Sequence, residues 1–205
     1  SHTCLGGRKC ENECILVAKS EPVPIRAITR FLMDYGWKHG LAEPARTSPK
    51  NQTVAIVGSG LCGLVTADAL SRLGYGVAVF DSREKPGGRM MNGLPGFRVD
   101  TTMVAHRLEL LRQRGIKFNM GVTLGTEVKL SDLRRDFDAV FLGFVRNDFV
   151  NLDVPGADLR GVHQGIPFIA GQLPQVSAAG RKVIVLGGGD TAMDASRVAV
   201  RQGGG

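Results

Sequence analysis

The sequence predicts an α/β fold with a parallel sheet covered by helices. Three observations predict it. From Thr53 onward, short apolar runs alternate with longer helical patterns, the order in which strands and crossover helices follow one another. A strand–glycine–helix unit occurs twice, over 53–73 and over 182–202. The 205 residues include 28 glycines, about twice the usual share, which points to turn chemistry.

Strands are expected at 53–57, 76–80, 116–119, 138–142 and 182–186, and helices near 61–73, 101–114, 163–170 and 190–202. Ahead of these lies an amphipathic stretch, Ile25 to Tyr35, in a region holding three of the four cysteines. The segment 41–52, LAEPARTSPKNQ, carries two prolines among small polar residues and reads as a linker. The expected organisation is therefore a small cysteine-containing helical segment (1–40), a linker (41–52), a first dinucleotide domain (53–180) and the opening of a second (181–205).

Composition narrows the classes of function. Hydrophobic residues at 43% and charged residues at 22% are values of a chain that builds a core. The net charge of +7 comes from scattered arginines and lysines without interleaved aromatics, which argues against a nucleic-acid surface and suits solvated charge with some phosphate contacts. No run approaches the ~18 apolar residues of a membrane span, and no signal-peptide core opens the sequence, so a cytoplasmic protein is expected.

The segment TVAIVGSGLCGLVTADALSRLGYGVAVFD carries the densest signal. An apolar strand feeds Gly58-Ser59-Gly60-Leu61-Cys62-Gly63, a full G-x-G-x-x-G. In such a loop the first glycine makes the tight turn, the second lets a pyrophosphate approach the backbone, and the third lets the helix sit close to the strand. The helix start then offers N–H groups and partial positive charge to phosphate. Leu64, Ala67, Leu70 and Leu73 give that helix an apolar stripe, and Cys62 is read as a small packing residue. The next strand ends in Asp81, 23 residues after Gly58, where a carboxylate can accept from both ribose hydroxyls and would repel a 2′-phosphate. After it the chain runs through a long glycine-rich loop, REKPGGRMMNGLPGF, which suits a larger ligand lying across the sheet edge.

These residues resemble the small (beta) subunit family of bacterial glutamate synthase and its relatives, among them the N-terminal part of dihydropyrimidine dehydrogenase. The resemblance rests on Val54 through Asp81, Pro86-Gly87-Gly88, Gly93-Leu94-Pro95-Gly96-Phe97, Asp138-Ala139-Val140-Phe141-Leu142-Gly143, Val154-Pro155-Gly156 and Val185 through Asp194. It implies a Rossmann-like FAD-binding domain, with Gly58, Gly60, Leu61, Cys62 and Gly63 at the pyrophosphate and Asp81 at the ribose. It also implies Gly88, Arg89 and Gly143 near the flavin, and the Val128 backbone at the adenine. The second loop, Gly187, Gly189, Asp190, Thr191 and Ala192, is implied to hold NADPH as G-x-G-x-x-A. The implied task is transfer of a hydride from NADPH to FAD, with electrons leaving through [4Fe–4S] clusters to a larger catalytic subunit; no catalytic acid or base is assigned. Two departures from the family pattern are Val145, where a second glycine is usual, and Thr29, where an acid or amide is usual.

Cys4, Cys10 and Cys14 form C-x5-C-x3-C, which without disulfide context reads as metal or cluster ligation. A [4Fe–4S] cluster takes four ligands, and three thiolates cannot complete two clusters. The four histidines show no metal spacing, and Glu109 with Arg112 reads as an ordinary helix pair. Two classes of function follow. One is an NADPH-dependent FAD oxidoreductase subunit; the other is a non-catalytic FAD-binding or docking subunit of a larger redox complex.

Overall fold

A computed structural model describes residues 9–41, 48–144 and 153–205. The chain parts into two compact units between Thr47 and Ser48.

In the first unit a short helix α1 (Lys9–Asn12) leads through a 3-10 turn (Ile15–Ala18) to α2 (Ile25–Lys38). The Glu11 carboxylate accepts from the Arg26 N–H at 3.3 Å, tying the start of α2 to α1. Helix α2 ends where Lys38 complements the dipole and Gly40, at φ +63°, reverses the chain. Aromatic residues stack along it, Phe31 on Tyr35 and Tyr35 on His39.

The second unit carries a four-stranded, all-parallel sheet, from β1 (Thr53–Val57), β2 (Gly76–Asp81), β3 (Lys117–Met120) and β4 (Ala139–Leu142), in the order β3-β2-β1-β4. Helix α3 (Leu61–Arg72) crosses from β1 to β2; α4 (Arg89–Asn92) and α5 (Thr101–Gln113) lie between β2 and β3; α6 (Leu130–Asp136) lies between β3 and β4. Beyond β4 are α7 (Gly165–Ile169) and α8 (Asp190–Arg201), packed on each other.

Successive residues of a strand face opposite sides of the sheet, and β1 fills two cores in this way. Val54 and Ile56 pack with Leu64 and Ala67 of α3 and with Val104, Leu108 and Leu111 of α5. Ala55 and Val57 pack with Leu133 of α6, edged by Phe80, Val128 and Phe137. Local signals set the crossover ends. Asp100 caps α5 by accepting from the Thr102 N–H at 2.9 Å, and Gly115, at φ +88°, closes it.

One charged cluster is centred on α3. Asp68 of α3 accepts from Arg72 at 3.0 Å and Arg107 at 2.8 Å and pairs with Arg114, whose Nη2 is buried without a hydrogen-bond partner. The expected Glu109–Arg112 pair is present at 3.8 Å.

Three expectations need correction. The segment 182–186 is not a strand, because no strand lies beside it among the described residues and a ladder needs a partner. The Val183 N–H instead donates to the Gly205 carbonyl, and Ile184 and Leu186 are exposed. The helix expected over 163–170 spans only Gly165–Ile169. Leu73 does not continue the α3 stripe; it is the C-cap and exposed, since the chain leaves the helix there for the Gly74 turn at φ +90°.

Candidate dinucleotide-binding site

In an open parallel sheet, ligands bind beyond the carboxyl ends of the strands where the strand order reverses direction. Here that point lies between β1 and β4, since β2 and β3 extend the sheet one way and β4 the other. Gly58 through Gly63 leave β1 there, and Gly143 leaves β4 beside them.

Each glycine of the loop meets a different environment. A Cβ on Gly63 would lie 1.9 Å from the Gly58 carbonyl oxygen, so only hydrogen fits between α3 and β1. Gly58, at φ +104°, turns the chain, and a Cβ there would lie 2.8 Å from the Gly143 carbonyl oxygen. The Gly143 N–H donates to the Val57 carbonyl at 2.7 Å, and a Cβ on Gly143 would crowd the Gly63 backbone. Gly60 alone of the three motif glycines faces open space. It is the N-cap of α3 and supplies no side-chain cap, so the first N–H groups of the helix are left without an intrahelical acceptor. The loop is thus closed at Gly58 and Gly63 and open at Gly60.

The loop is held from beneath by a buried polar contact. Ser59 is fully buried, and both its N–H and its hydroxyl donate to Asp81 Oδ2 at 2.7 Å. The Arg83 N–H donates to Asp81 Oδ1 at 2.9 Å. A carboxylate has about four acceptor positions, so Asp81 is already three-quarters engaged within the protein. From the side, the Gly87 N–H donates to the Ser59 carbonyl at 3.0 Å, and Gly88 packs so closely that a Cβ would lie 2.7 Å from the Gly60 Cα. Arg89 follows as the exposed first residue of α4. The structure thus brings Gly58, Gly60, Leu61, Cys62, Gly63, Asp81, Gly88, Arg89 and Gly143 to one region.

Cys62 departs from its expected packing role. It is exposed on the first turn of α3, because α3 turns Gly63 and Leu64 toward the sheet instead. Val128 sits at a separate turn beyond β3, where its carbonyl accepts from Gly125 at 2.7 Å and its N–H donates to Thr123 at 3.4 Å. Glu127 secures that turn by accepting from the Thr123 N–H at 2.7 Å, and this hydrogen bond holds its carboxyl below the usual range.

The second loop repeats the pattern in a more open form. Gly187 turns at φ +123° with Ala192 below it; Gly188 and Gly189 face open space; and α8 begins without a side-chain cap. Asp190 and Thr191 are exposed at its start. Cys10 is exposed and Cys14 half-buried in the first unit, while Cys4 and Val145 lie outside the described residues. Among the described residues no group of three or more histidine, cysteine or acidic side chains could hold a metal ion. Thr29 donates to the Ile25 carbonyl within α2.

Sequence reasoning gave no individual role to Ser59, Phe97, Arg98 or Asp194. For Ser59 a signal existed, a hydroxyl inside the loop with a carboxylate at the end of the next strand.

The sheet order, the switch-point position and the glycine-lined turn after β1 define a Rossmann-like fold. The family described as an NAD(P)-binding Rossmann-like domain matches residues 56–112. Over nearly its whole length the chain is similar in sequence to a segment of glutamate synthase small chains. It is 36% identical to the glutamate synthase [NADPH] small chain of Mycobacterium tuberculosis strain H37Rv, covering 95% of this chain and 43% of that protein. It is 36% identical to the Escherichia coli K12 small chain, covering 98% and 45%. The chain thus spans under half the length of these relatives. Among solved structures, Mycobacterium tuberculosis FprA in complex with NADPH matches at a TM-score of 0.62 and 23% identity, over 73% of this chain and 36% of that one. A 2-naphthoyl-CoA reductase complex matches at 0.61 and 17% identity, over 78% and 23%. These two share the fold.

Proposed function

We propose that this chain is the flavin-binding part of an NADPH-dependent oxidoreductase of the glutamate synthase small-chain type, working in the cytoplasm with a larger catalytic subunit. The single observation that carries the proposal is the cradle at the switch point, where Gly60 is open and Gly58, Gly63 and Gly143 are closed against one another. The likeness to glutamate synthase [NADPH] small chains, with the family resemblance that implies FAD in the first loop, supports FAD as the dinucleotide here.

The residues fit the group. The first-turn N–H groups of α3, from Gly60, Leu61, Cys62 and Gly63, would take the pyrophosphate, helped by the helix dipole. Asp81 keeps one acceptor position on Oδ1 for a ribose hydroxyl; its other positions hold the loop itself. Gly88 and Gly143 would flank the flavin end, with Arg89 at its rim. The Val128 carbonyl, with a second lone pair, would meet the adenine. When bound, FAD supplies the capacity to accept a hydride and release electrons singly. The protein's own part is to hold the phosphates, exclude water beneath the loop and orient the ring system. Gly187, Gly189, Asp190, Thr191 and Ala192 would hold the diphosphate of NADPH on α8 in the same manner.

Cys4, Cys10 and Cys14 do not by themselves fit a [4Fe–4S] cluster, which needs a fourth ligand, so no electron step is assigned to them. The test is the visible spectrum of the purified protein equilibrated with FAD. A bound flavin spectrum that bleaches with NADPH under anaerobic conditions is expected. Bound flavin inert to NADPH would instead favour a docking subunit, and no bound flavin would remove the cofactor assignments and leave only a docking role.

A further inference from the structure

The described residues hold two buried polar side chains, Ser59 and Asp194. Ser59 belongs to the first loop. Asp194 lies on α8, one turn inside the helix that opens at the second loop, and is 5% exposed. Its partner comes from the segment between α4 and α5: Arg98 Nε donates to Asp194 Oδ1 at 2.6 Å. The same guanidinium reaches Asp190 at 3.8 Å, since residues four apart share a helix face. Beside it, Arg197 and Arg201 of α8 lie over the Phe97 ring at 4.1 and 4.3 Å.

The segment bearing Phe97 and Arg98 is not loose. Arg98 and Val99 both donate to the Pro95 carbonyl, Val99 is 2% exposed in the core, and Asp100 caps α5. At its other end the segment runs back through α4 to Gly88, which abuts Gly60. A continuous set of contacts therefore joins the first glycine loop to the helix of the second.

We propose that Arg98 is a positioning residue that latches α8 through Asp194 and fixes the second nucleotide loop at a set distance from the first. This rests on the reading that the two loops hold FAD and NADPH. Hydride transfer requires the two ring systems at contact distance, and a misplacement of about 1 Å can cost about a hundredfold in rate. Arg98 also balances Asp190 and Asp194, whose charges would otherwise stand beside an incoming diphosphate.

The test uses the full chain. Hydrogen–deuterium exchange without nucleotide is expected to run about tenfold faster across α8 in Arg98→Met than in wild type, with β1 unchanged, because only the latch has opened. In the FAD-loaded protein, the limiting rate of flavin reduction at saturating NADPH should fall about tenfold while flavin stoichiometry holds, and Arg98→Lys should recover much of both losses. Wild-type exchange across α8 in Arg98→Met, an unchanged limiting rate, or Lys no better than Met would each overturn the latch. Should Arg98→Met fail to fold, Arg98→Gln carries the same comparison, and wild-type exchange across α8 there has the same force. A wild-type flavin that NADPH does not reduce would defeat the functional reading alone, because the exchange measurement still decides the latch.

Discussion

Gly63→Ala and Gly60→Ala separate the structural from the binding role of one loop. A methyl at Gly63 would lie 1.9 Å from the Gly58 carbonyl oxygen, where ordinary contact begins at 3.4 Å. The missing separation is about 1.5 Å, and both partners are backbone, so α3 must back away from β1 across a packed core. Overpacking of this kind costs about 3 kcal/mol. At roughly 2–4 °C per kcal/mol for a chain of this size, Tm should fall by roughly 6–12 °C. Gly60 has φ −70° and nothing within 4 Å of a Cβ. Gly60→Ala should therefore keep Tm within about 3 °C. Its methyl would occupy the open side of the cradle and displace one or two charge-assisted hydrogen bonds to phosphate. FAD affinity should then weaken about 10- to 100-fold. Circular dichroism melts without nucleotide and calorimetric FAD titration read the two effects separately. A wild-type melt for Gly63→Ala, or undiminished FAD affinity for Gly60→Ala, would refute the division of labour.

Asp81→Asn should destabilise the nucleotide-free chain by about 1–3 kcal/mol in urea, because a side-chain NH2 replaces an acceptor that buried Ser59 or Arg83 needs; equal stability would show that Asp81 serves ligand alone. Asp68→Asn leaves Arg114, 12% exposed, without its carboxylate and should cost about 3 kcal/mol, while Asp68→Leu with Arg114→Leu should recover most of that loss; the cycle is read by chemical denaturation. Glu127 titrates below its ordinary value because the Thr123 N–H bonds its carboxylate. The sign follows directly: the turn's stability is present above the unfolded carboxyl value and is lost as pH falls through the folded one. The Thr123 amide shift, followed by NMR, should therefore move below pH 4.5 in step with Glu127, and Glu127→Gln should abolish the movement.

Much of the fold was legible because the signals were local. The four strands of the sheet, α3, α5 and α8 were announced by apolar runs, glycine turns and helical stripes, and the parallel order followed from their alternation. The segment 182–186 failed for the complementary reason. Val183 to Leu186 has the composition of a buried strand, but composition cannot supply the neighbour that a ladder requires. The same limit hid the latch. Arg98 and Asp194 are 96 residues apart, and neither looks unusual in its own window; only the fold brings them together. Asp81 ends β2 as the pattern predicts, yet its engagement with Ser59 depends on how tightly the loop folds over the sheet edge. Cys62 has the size and polarity of a packing residue, but one residue of helix rotation separates a packed position from an open one, and α3 gives the packed position to Gly63.

The central claim, that the Gly58–Gly63 loop cradles the pyrophosphate of FAD, is most directly tested by a two-dimensional amide spectrum of the labelled chain during FAD titration. The account predicts that the Gly60, Leu61, Cys62 and Gly63 amides shift downfield together, with the FAD phosphorus resonances moving at the same ligand ratio. FAD binding that leaves those four amides in place would contradict it.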